Sequence, residues 1–277
     1  MNRMGHSLIL KGVARAAYAG RRLGLVERVR WMKRLMKPLL GEMVVEVGGL
    51  TLCGTLDHWE LLDQLRREQF EPATGRMFRD VITSGQTIVD IGSCIGWYAL
   101  LAVQLTGAHG RVFAFEPNAR NFTWLSGNIQ RNGFGNIEAI PKAVSSRDDS
   151  VALFLHEGDP TQNSLYPPHA GGGCVHVDAI ALDSFLDEKR VDVIKVDIEG
   201  GELSALRGMQ DTLRRNPHLL LFVELNPRAL QHAGTSEQKL VHWLHEAGFL
   251  ITPLDPRRAP DGSLIAVNLF CRRDSTR

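Results

Sequence analysis

The stretch that most limits what this chain can become is Thr87-Ile88-Val89-Asp90-Ile91-Gly92-Ser93-Cys94-Ile95-Gly96-Trp97-Tyr98. It opens as a short apolar run suited to a buried strand. It then breaks at glycine and resumes as a helical pattern, Tyr98-Ala99-Leu100-Leu101-Ala102-Val103. Strand, glycine turn and helix together open a nucleotide-binding α/β unit. Its glycines let a ligand approach the backbone, and its helix start offers free N–H groups.

The rest of the chain repeats the alternation. Strands are expected at 87–91, 111–115, 137–144, 191–196, 219–225, 249–252 and 264–271, and helices at 97–105, 119–132, 201–214 and 236–246. Such alternation predicts an α/β fold with a seven-stranded, mostly parallel sheet and helices on both faces. The last two strands have no helix between them and should pair as an antiparallel edge hairpin through Asp255–Gly262. Ahead of the core, two β-rich runs flank Gly48-Gly49 as in a tight hairpin, and helical patterns follow at 58–69 and 73–83. Extra strands at 151–155 and 175–179 bracket a Pro-, Gly- and His-rich loop. The domains expected are a basic helical extension over 1–40, a hairpin and helix over 41–70, and the main domain over 71–277, with 151–180 as an inserted hairpin.

Composition matters at three points. At 44% hydrophobic the chain can bury a sizeable core, and no apolar run approaches the roughly 18 residues of a membrane span. The four cysteines lack C-x-x-C spacing, so reduced thiols, a cytoplasmic location and no metal site are expected. Residues 1–40 carry ten Lys or Arg against one acid, Glu27, so this arm holds +9 and the remainder −8. With Leu25, Val29, Met32 and Met36 on one helical stripe, the arm suits either packing on the domain or a peripheral contact with an anionic membrane.

Three constellations carry chemistry. Gly92 and Gly96 stand four residues apart, so the loop is not the G-x-G-x-x-G of a dinucleotide pyrophosphate site. Asp90 at the strand end would repel phosphate and attract a cation. S-adenosylmethionine, with a sulfonium, an ammonium and no phosphate, fits Asp90, Gly92, Ser93 and Gly96. Glu116, in Glu116-Pro117-Asn118, lies 20 residues after Gly96, where an acid can accept hydrogen bonds from both ribose hydroxyls. The third is Lys195-Val196-Asp197-Ile198-Glu199-Gly200-Gly201-Glu202, at the end of the fourth core strand. Acids there can hold a substrate, meet the cofactor's ammonium or take a proton from a hydroxyl. They can also merely favour the start of the following helix. His242, His245 and Glu246 read as a solvated helix face.

The ordered set resembles the FkbM family of S-adenosylmethionine-dependent methyltransferases, and so implies the class I, Rossmann-like methyltransferase fold. The matching pieces are Phe70-Glu71-Pro72, Val89–Gly96, Phe115-Glu116-Pro117, Asn128 with Asn132-Gly133, Lys142-Ala143-Val144-Ser145, Asn163-Ser164-Leu165, Leu182-Asp183-Ser184-Phe185, Ile194–Gly200 with Glu202, and Val223-Glu224-Leu225. They span about residues 68–252. The resemblance implies O-methylation of a small-molecule or carbohydrate hydroxyl. It assigns cofactor binding to Glu71, Asp90, Gly92, Ser93, Gly96, Glu116, Pro117, Asn118 and Ala143. Substrate binding falls to Asn163, Ser164, Lys195 and Glu224. On the residues themselves, Asp197 or Glu199 is the candidate catalytic base or substrate anchor, with His169 or His176 of the loop region as weaker candidates. The 158–173 loop would then close over the site as a lid. Ser93-Cys94 departs from the Ala-Asn common in the family. Rival readings are a nucleic-acid methyltransferase, argued against by the lack of a D/N-P-P-Y/F motif after the fourth strand, and a non-catalytic cofactor-binding scaffold. No nucleic-acid partner is expected, and a homo-oligomer is an open expectation.

Overall fold

A computed structural model describes residues 41–156, 158–167 and 173–273. The basic arm over 1–40, His169 and the tip of the expected lid lie outside the described residues. In chain order the elements are β1 (Met43–Val47), β2 (Leu50–Gly54), α1 (Trp59–Arg66), α2 (Pro72–Val81), β3 (Thr87–Ile91), α3 (Trp97–Thr106), β4 (Arg111–Phe115) and α4 (Ala119–Asn132). There follow β5 (Ile137–Ile140), β6 (Ala143–Val144), β7 (Asp149–Phe154), β8 (Cys174–Ile180), α5 (Leu182–Leu186) and β9 (Val193–Val196). The chain continues through α6 (Glu202–Arg207), α7 (Gln210–Arg215), β10 (Leu220–Leu225), α8 (Pro227–His232), α9 (Glu237–Glu246), β11 (Phe249–Arg258) and β12 (Leu264–Arg273).

The expected seven-stranded sheet forms, in the order β11-β12-β10-β9-β3-β4-β5. From β10 to β5 the neighbours are parallel, and β12 is antiparallel to both β10 and β11. The strand alternation sorts side chains onto two faces. Val89, Ile91, Phe113 and Phe115 pack toward α5, α6, α7 and α9. Ile88, Val112, Ala114, Val193 and Phe222 pack toward α2, α3 and the 41–70 segment. Helix α3 is buried on nearly every side because β1, β2 and α1 cover the face that the sheet leaves free. Asn128 ties that covering to the core. Its Oδ1 accepts from Cys53 N, and its Nδ2 donates to Cys53 O and Ile95 O.

Three expected elements change. The strand over 137–144 breaks at Pro141-Lys142, so β6 leaves the main sheet and pairs with β8, which also pairs with β7. Proline lacks the N–H that a continuous ladder requires. The helix over 201–214 splits at Gly208, whose backbone packs so closely on Ser145 that a Cβ there would lie 2.0 Å from Ser145 O. Asp183 restarts it by accepting from Asp211 N and Thr212 N. The strand from Phe249 runs on to Arg258, beyond the expected Thr252, and its pairing with β12 slips between Leu254 and Arg257.

Candidate active site

The C-terminal ends of β3, β4, β9 and β10 converge on one edge of the sheet, where open α/β folds bind ligands. After β3 the chain turns through Gly92, at φ +87, and enters α3 from Gly96, at φ +98. Gly92 has no room for a side chain, since a Cβ would lie 1.9 Å from Asp197 O. The loop's amides are already committed: Gly92 N and Ser93 N donate to Phe115 O, Cys94 N to Glu116 Oε2, and Gly96 N to Ser93 O. Four amides of the loop are thus turned to the protein's own oxygens rather than toward a ligand.

Two adjoining cavities line this edge. The smaller, about 50 Å³, lies over Gly92, Glu116, Pro117, Ala143 and Val144 and is roofed by Pro160, Thr161, Asn163 and Leu165. The larger, about 210 Å³, is walled by Asp90, Tyr98, Lys195, Asp197, Glu199 and Glu224, with Phe70, Glu71, Asn226 and Arg257 around them. Gly92, Cys94, Thr161 and Asp197 belong to both.

The polar groups are tightly arranged. Glu116 is buried and accepts from Cys94 N and Asn118 N, both at 2.8 Å. Burial pushes its carboxyl up to about 8 even so. Lys195 Nζ is buried 2.6 Å from Asp197 Oδ2 and 4.5 Å from the centre of the Tyr98 ring. Burial alone would raise Asp197, but the Lys195 charge overrides it and holds the carboxyl below its usual value. Glu199, at φ +51, accepts from Asn226 Nδ2 at 2.9 Å; burial and then the charges of Asp197 and Glu202 push it up to about 8. Glu224 Oε1 accepts from Arg257 Nη2 at 2.8 Å, and burial followed by Asp197 and Glu199 pushes this carboxyl well up. Tyr98 donates its hydroxyl to Glu71 Oε2 at 2.7 Å.

The sequence pattern that defines the Methyltransferase FkbM domain matches residues 90–251. The chain belongs to the FkbM methyltransferase family. Its sheet, with the antiparallel strand inserted beside the last parallel one, is the class I methyltransferase sheet. Among curated relatives, the chain is 25% identical over 226 residues to the hexuronic acid methyltransferase AglP of Haloferax volcanii, covering 80% of this chain and 88% of that one. It is 28% identical over 146 residues to Methyltransferase 1 of Beauveria bassiana, covering 45% of this chain and 58% of that one. Among solved structures, an rRNA methylase from Streptococcus thermophilus aligns with a TM-score of 0.47 at 12% identity, over 72% of this chain and 93% of that chain.

In this FkbM protein most residues singled out from sequence meet at the two cavities. Others take supporting places. Asn118 caps α4, accepting from Arg120 N and Asn121 N. Gly96 is the N-cap of α3 and packs against Leu125. Ser164 lines neither cavity; its Oγ donates to Glu199 O at 2.7 Å and so fastens the 158–167 segment to the turn after β9. Exposed His176, on β8, also lines neither cavity, so nothing brings it to the acids. Among the described residues there is no cluster of His, Cys, Asp and Glu suited to a metal ion. Sequence reading missed Tyr98, Asn226 and Arg257. Tyr98 did carry a signal, a hydroxyl at the start of an otherwise apolar helix. Asn226-Pro227 carried one too, an N-cap followed by proline at the start of α8. Nothing local marks Arg257, which reaches Glu224 only because β11 extends and bends.

Proposed function

We propose that this methyltransferase moves the methyl group of S-adenosylmethionine to a hydroxyl oxygen of a small molecule or carbohydrate. The observation that carries this reading is the placement of Glu199 and Asp197 in a cavity that adjoins the one lined by Glu116 and shares Gly92 with it. The residues suit the cofactor's chemistry. Buried Asp90 Oδ2 and Glu224 Oε2 lack hydrogen-bond donors and suit a cationic ligand, while Asn163 Nδ2 is a buried donor without an acceptor in the smaller cavity. Glu116 uses two of its roughly four acceptor sites on Cys94 and Asn118, leaving others for a diol.

S-adenosylmethionine supplies a methyl group already activated by positive charge. The protein's part is then alignment, proton removal and exclusion of water. Alignment of reactants in near-attack geometry contributes on the order of 7–11 kcal/mol. Asp90, Glu116 and Ala143 hold the cofactor, while Lys195, fixed by Asp197 and Tyr98, keeps the reaction edge rigid. Asp197 stays ionised and serves as an anchor. Glu199, poised near neutral pH, is the better base, and a positioned base adds roughly 10²–10⁴-fold. Glu224 and Arg257 face the acceptor, and the 158–167 segment closes from above. AglP, by its name, methylates a hexuronic acid, which makes carbohydrates the first acceptors to try. The many acids of the cleft disfavour a polyphosphate chain.

Calorimetric titration with S-adenosylmethionine tests the reading. Glu116→Ala should weaken binding about tenfold, roughly the worth of one or two hydrogen bonds. Wild-type affinity in that variant removes Glu116 from the site.

A further inference from the structure

The larger cavity draws its acids from separate parts of the fold. Asp90 ends on β3, Asp197 and Glu199 follow β9, Glu224 lies on β10, and Glu71 precedes α2. The two cations facing them are each engaged by one acid: Lys195 by Asp197 at 2.6 Å and Arg257 by Glu224 at 2.8 Å. Glu202 lies behind Glu199 and accepts from Ile198 N and Gly200 N. Tyr98 on α3 faces Glu71 and Lys195. Cys94, Asp57, Glu60 and Asp159 complete the titratable lining. Three buried oxygens in this cluster have no hydrogen-bond donor, Asp90 Oδ2 and Glu224 Oε2 on the cavity wall and Glu202 Oε2 behind it, on residues 2%, 3% and 0% exposed. Buried carboxylates facing one another cannot all ionise without an added positive charge.

We propose, on the reading that this enzyme uses S-adenosylmethionine, that the cluster selects its cofactor by charge. Glu199 and Glu224 share a proton in the free enzyme, release it when the sulfonium charge enters, and regain one from the acceptor hydroxyl when that charge is lost. Methyl transfer forms the oxygen–carbon bond and breaks the carbon–sulfur bond, whose electron pair stays on sulfur. The hydroxyl proton passes to Glu199, so one positive and one negative charge vanish together. The burial and like-charge neighbours that hold Glu199 at about 8 set this exchange near neutral pH. The base is thereby ionised only while there is a methyl group to transfer, and the neutral thioether product, S-adenosylhomocysteine, loses its hold on the site.

The test is calorimetry of the full chain with S-adenosylmethionine and, separately, S-adenosylhomocysteine, at pH 6.5 in two buffers of different ionisation enthalpy. At that pH the α-amino group of either ligand stays protonated, its ordinary value lying near about 8. S-adenosylmethionine should release about one proton more than S-adenosylhomocysteine, and its relative affinity should rise by up to about tenfold per pH unit between about pH 6 and 7. Equal proton counts for two bound ligands would overturn the proposal and leave the cofactor reading standing. No binding of S-adenosylmethionine would overturn that reading and the proposal with it. In Glu199→Gln and Glu224→Gln, each checked for folding by circular dichroism, the extra proton should disappear from at least one variant that still binds S-adenosylhomocysteine. Its survival in both would overturn the assignment to these two acids.

Discussion

Gly92→Ala is the sharpest perturbation available in this fold. The new Cβ would fall 1.9 Å from Asp197 O, 2.9 Å from Asp197 C and 3.0 Å from the Ile198 side chain. Carbon and oxygen normally approach no closer than about 3.3 Å, so the loop and the end of β9 must separate by more than about 1 Å. The φ of +87 adds strain of about 1–2 kcal/mol for a residue with a Cβ. Forcing an extra methyl into a packed site costs about 1–3 kcal/mol more. Together these predict a loss of about 2–5 kcal/mol, or on the order of 5–15 °C in Tm for a chain of this size. Because the displaced backbone is that of Asp197, cofactor affinity should fall with it. Gly75→Ala is the matched control: Gly75 sits inside α2 with nothing within 4 Å of an added Cβ. It should be neutral or stabilising by up to about 1 kcal/mol. Urea unfolding and calorimetry on both variants check the pair. A Gly92→Ala protein with the stability and affinity of the parent would refute the close approach of loop and strand.

Asp255 caps α2 from the far end of the chain, accepting from Ala73 N, Thr74 N and Thr74 Oγ1. Asp255→Ala should cost about 1–2 kcal/mol, and Asp255→Asn, which tolerates the φ of +50 and keeps an acceptor, should cost less; thermal unfolding compares them. Asn128→Ala removes three buried hydrogen bonds and should cost about 1–3 kcal/mol per group left unsatisfied, with faster proteolysis within 41–70. Stability should also depend on pH in a direction opposite to that of a protein held by carboxylate ion pairs. Burial raises Glu116 and Glu199 to about 8, Glu202 to about 7 and Asp90 to about 6, so the folded state holds more protons than the unfolded one. Their contribution is complete below about pH 4 and is lost as pH rises through 6–8, each group costing up to about 1.4 kcal/mol per pH unit. The urea midpoint of the ligand-free protein should therefore fall between pH 5.5 and 8, and a midpoint that rises would contradict the burial of these acids.

The parallel core was legible because strands buried on both faces read as short, mostly apolar runs, as in Thr87–Ile91 and Val193–Val196, broken inside only by Asp90 and Lys195 of the site. The glycine loop, Glu116 and the Lys195–Glu202 segment were legible because each follows such a strand at a fixed distance. What escaped depended on contacts remote in sequence. Beyond Thr252, β11 carries Pro253, Pro256, Arg257 and Arg258, so its second half reads as a loop. It pairs as a strand because proline is tolerated on an edge, and the register slip after Leu254 accompanies the turn of Arg257 toward Glu224. The break at Gly208 was hidden for the same reason, since the Ser145 carbonyl that requires a glycine lies 63 residues earlier. The separate tasks of the acids also needed the structure. Asp197 and Glu199 are two residues apart and chemically alike, yet Lys195 lowers one while burial and like charges raise the other.

The most direct measurement supplies the purified protein with S-adenosylmethionine carrying an isotopically labelled methyl group, in the presence of a polar metabolite and oligosaccharide extract, and locates the label by mass spectrometry and NMR. The account predicts a labelled methoxyl carbon on a hydroxylated small molecule or sugar, formed by the parent protein and strongly reduced in Glu199→Gln. Label on a nucleic-acid base, or on a nitrogen or carbon atom of the acceptor, would contradict it.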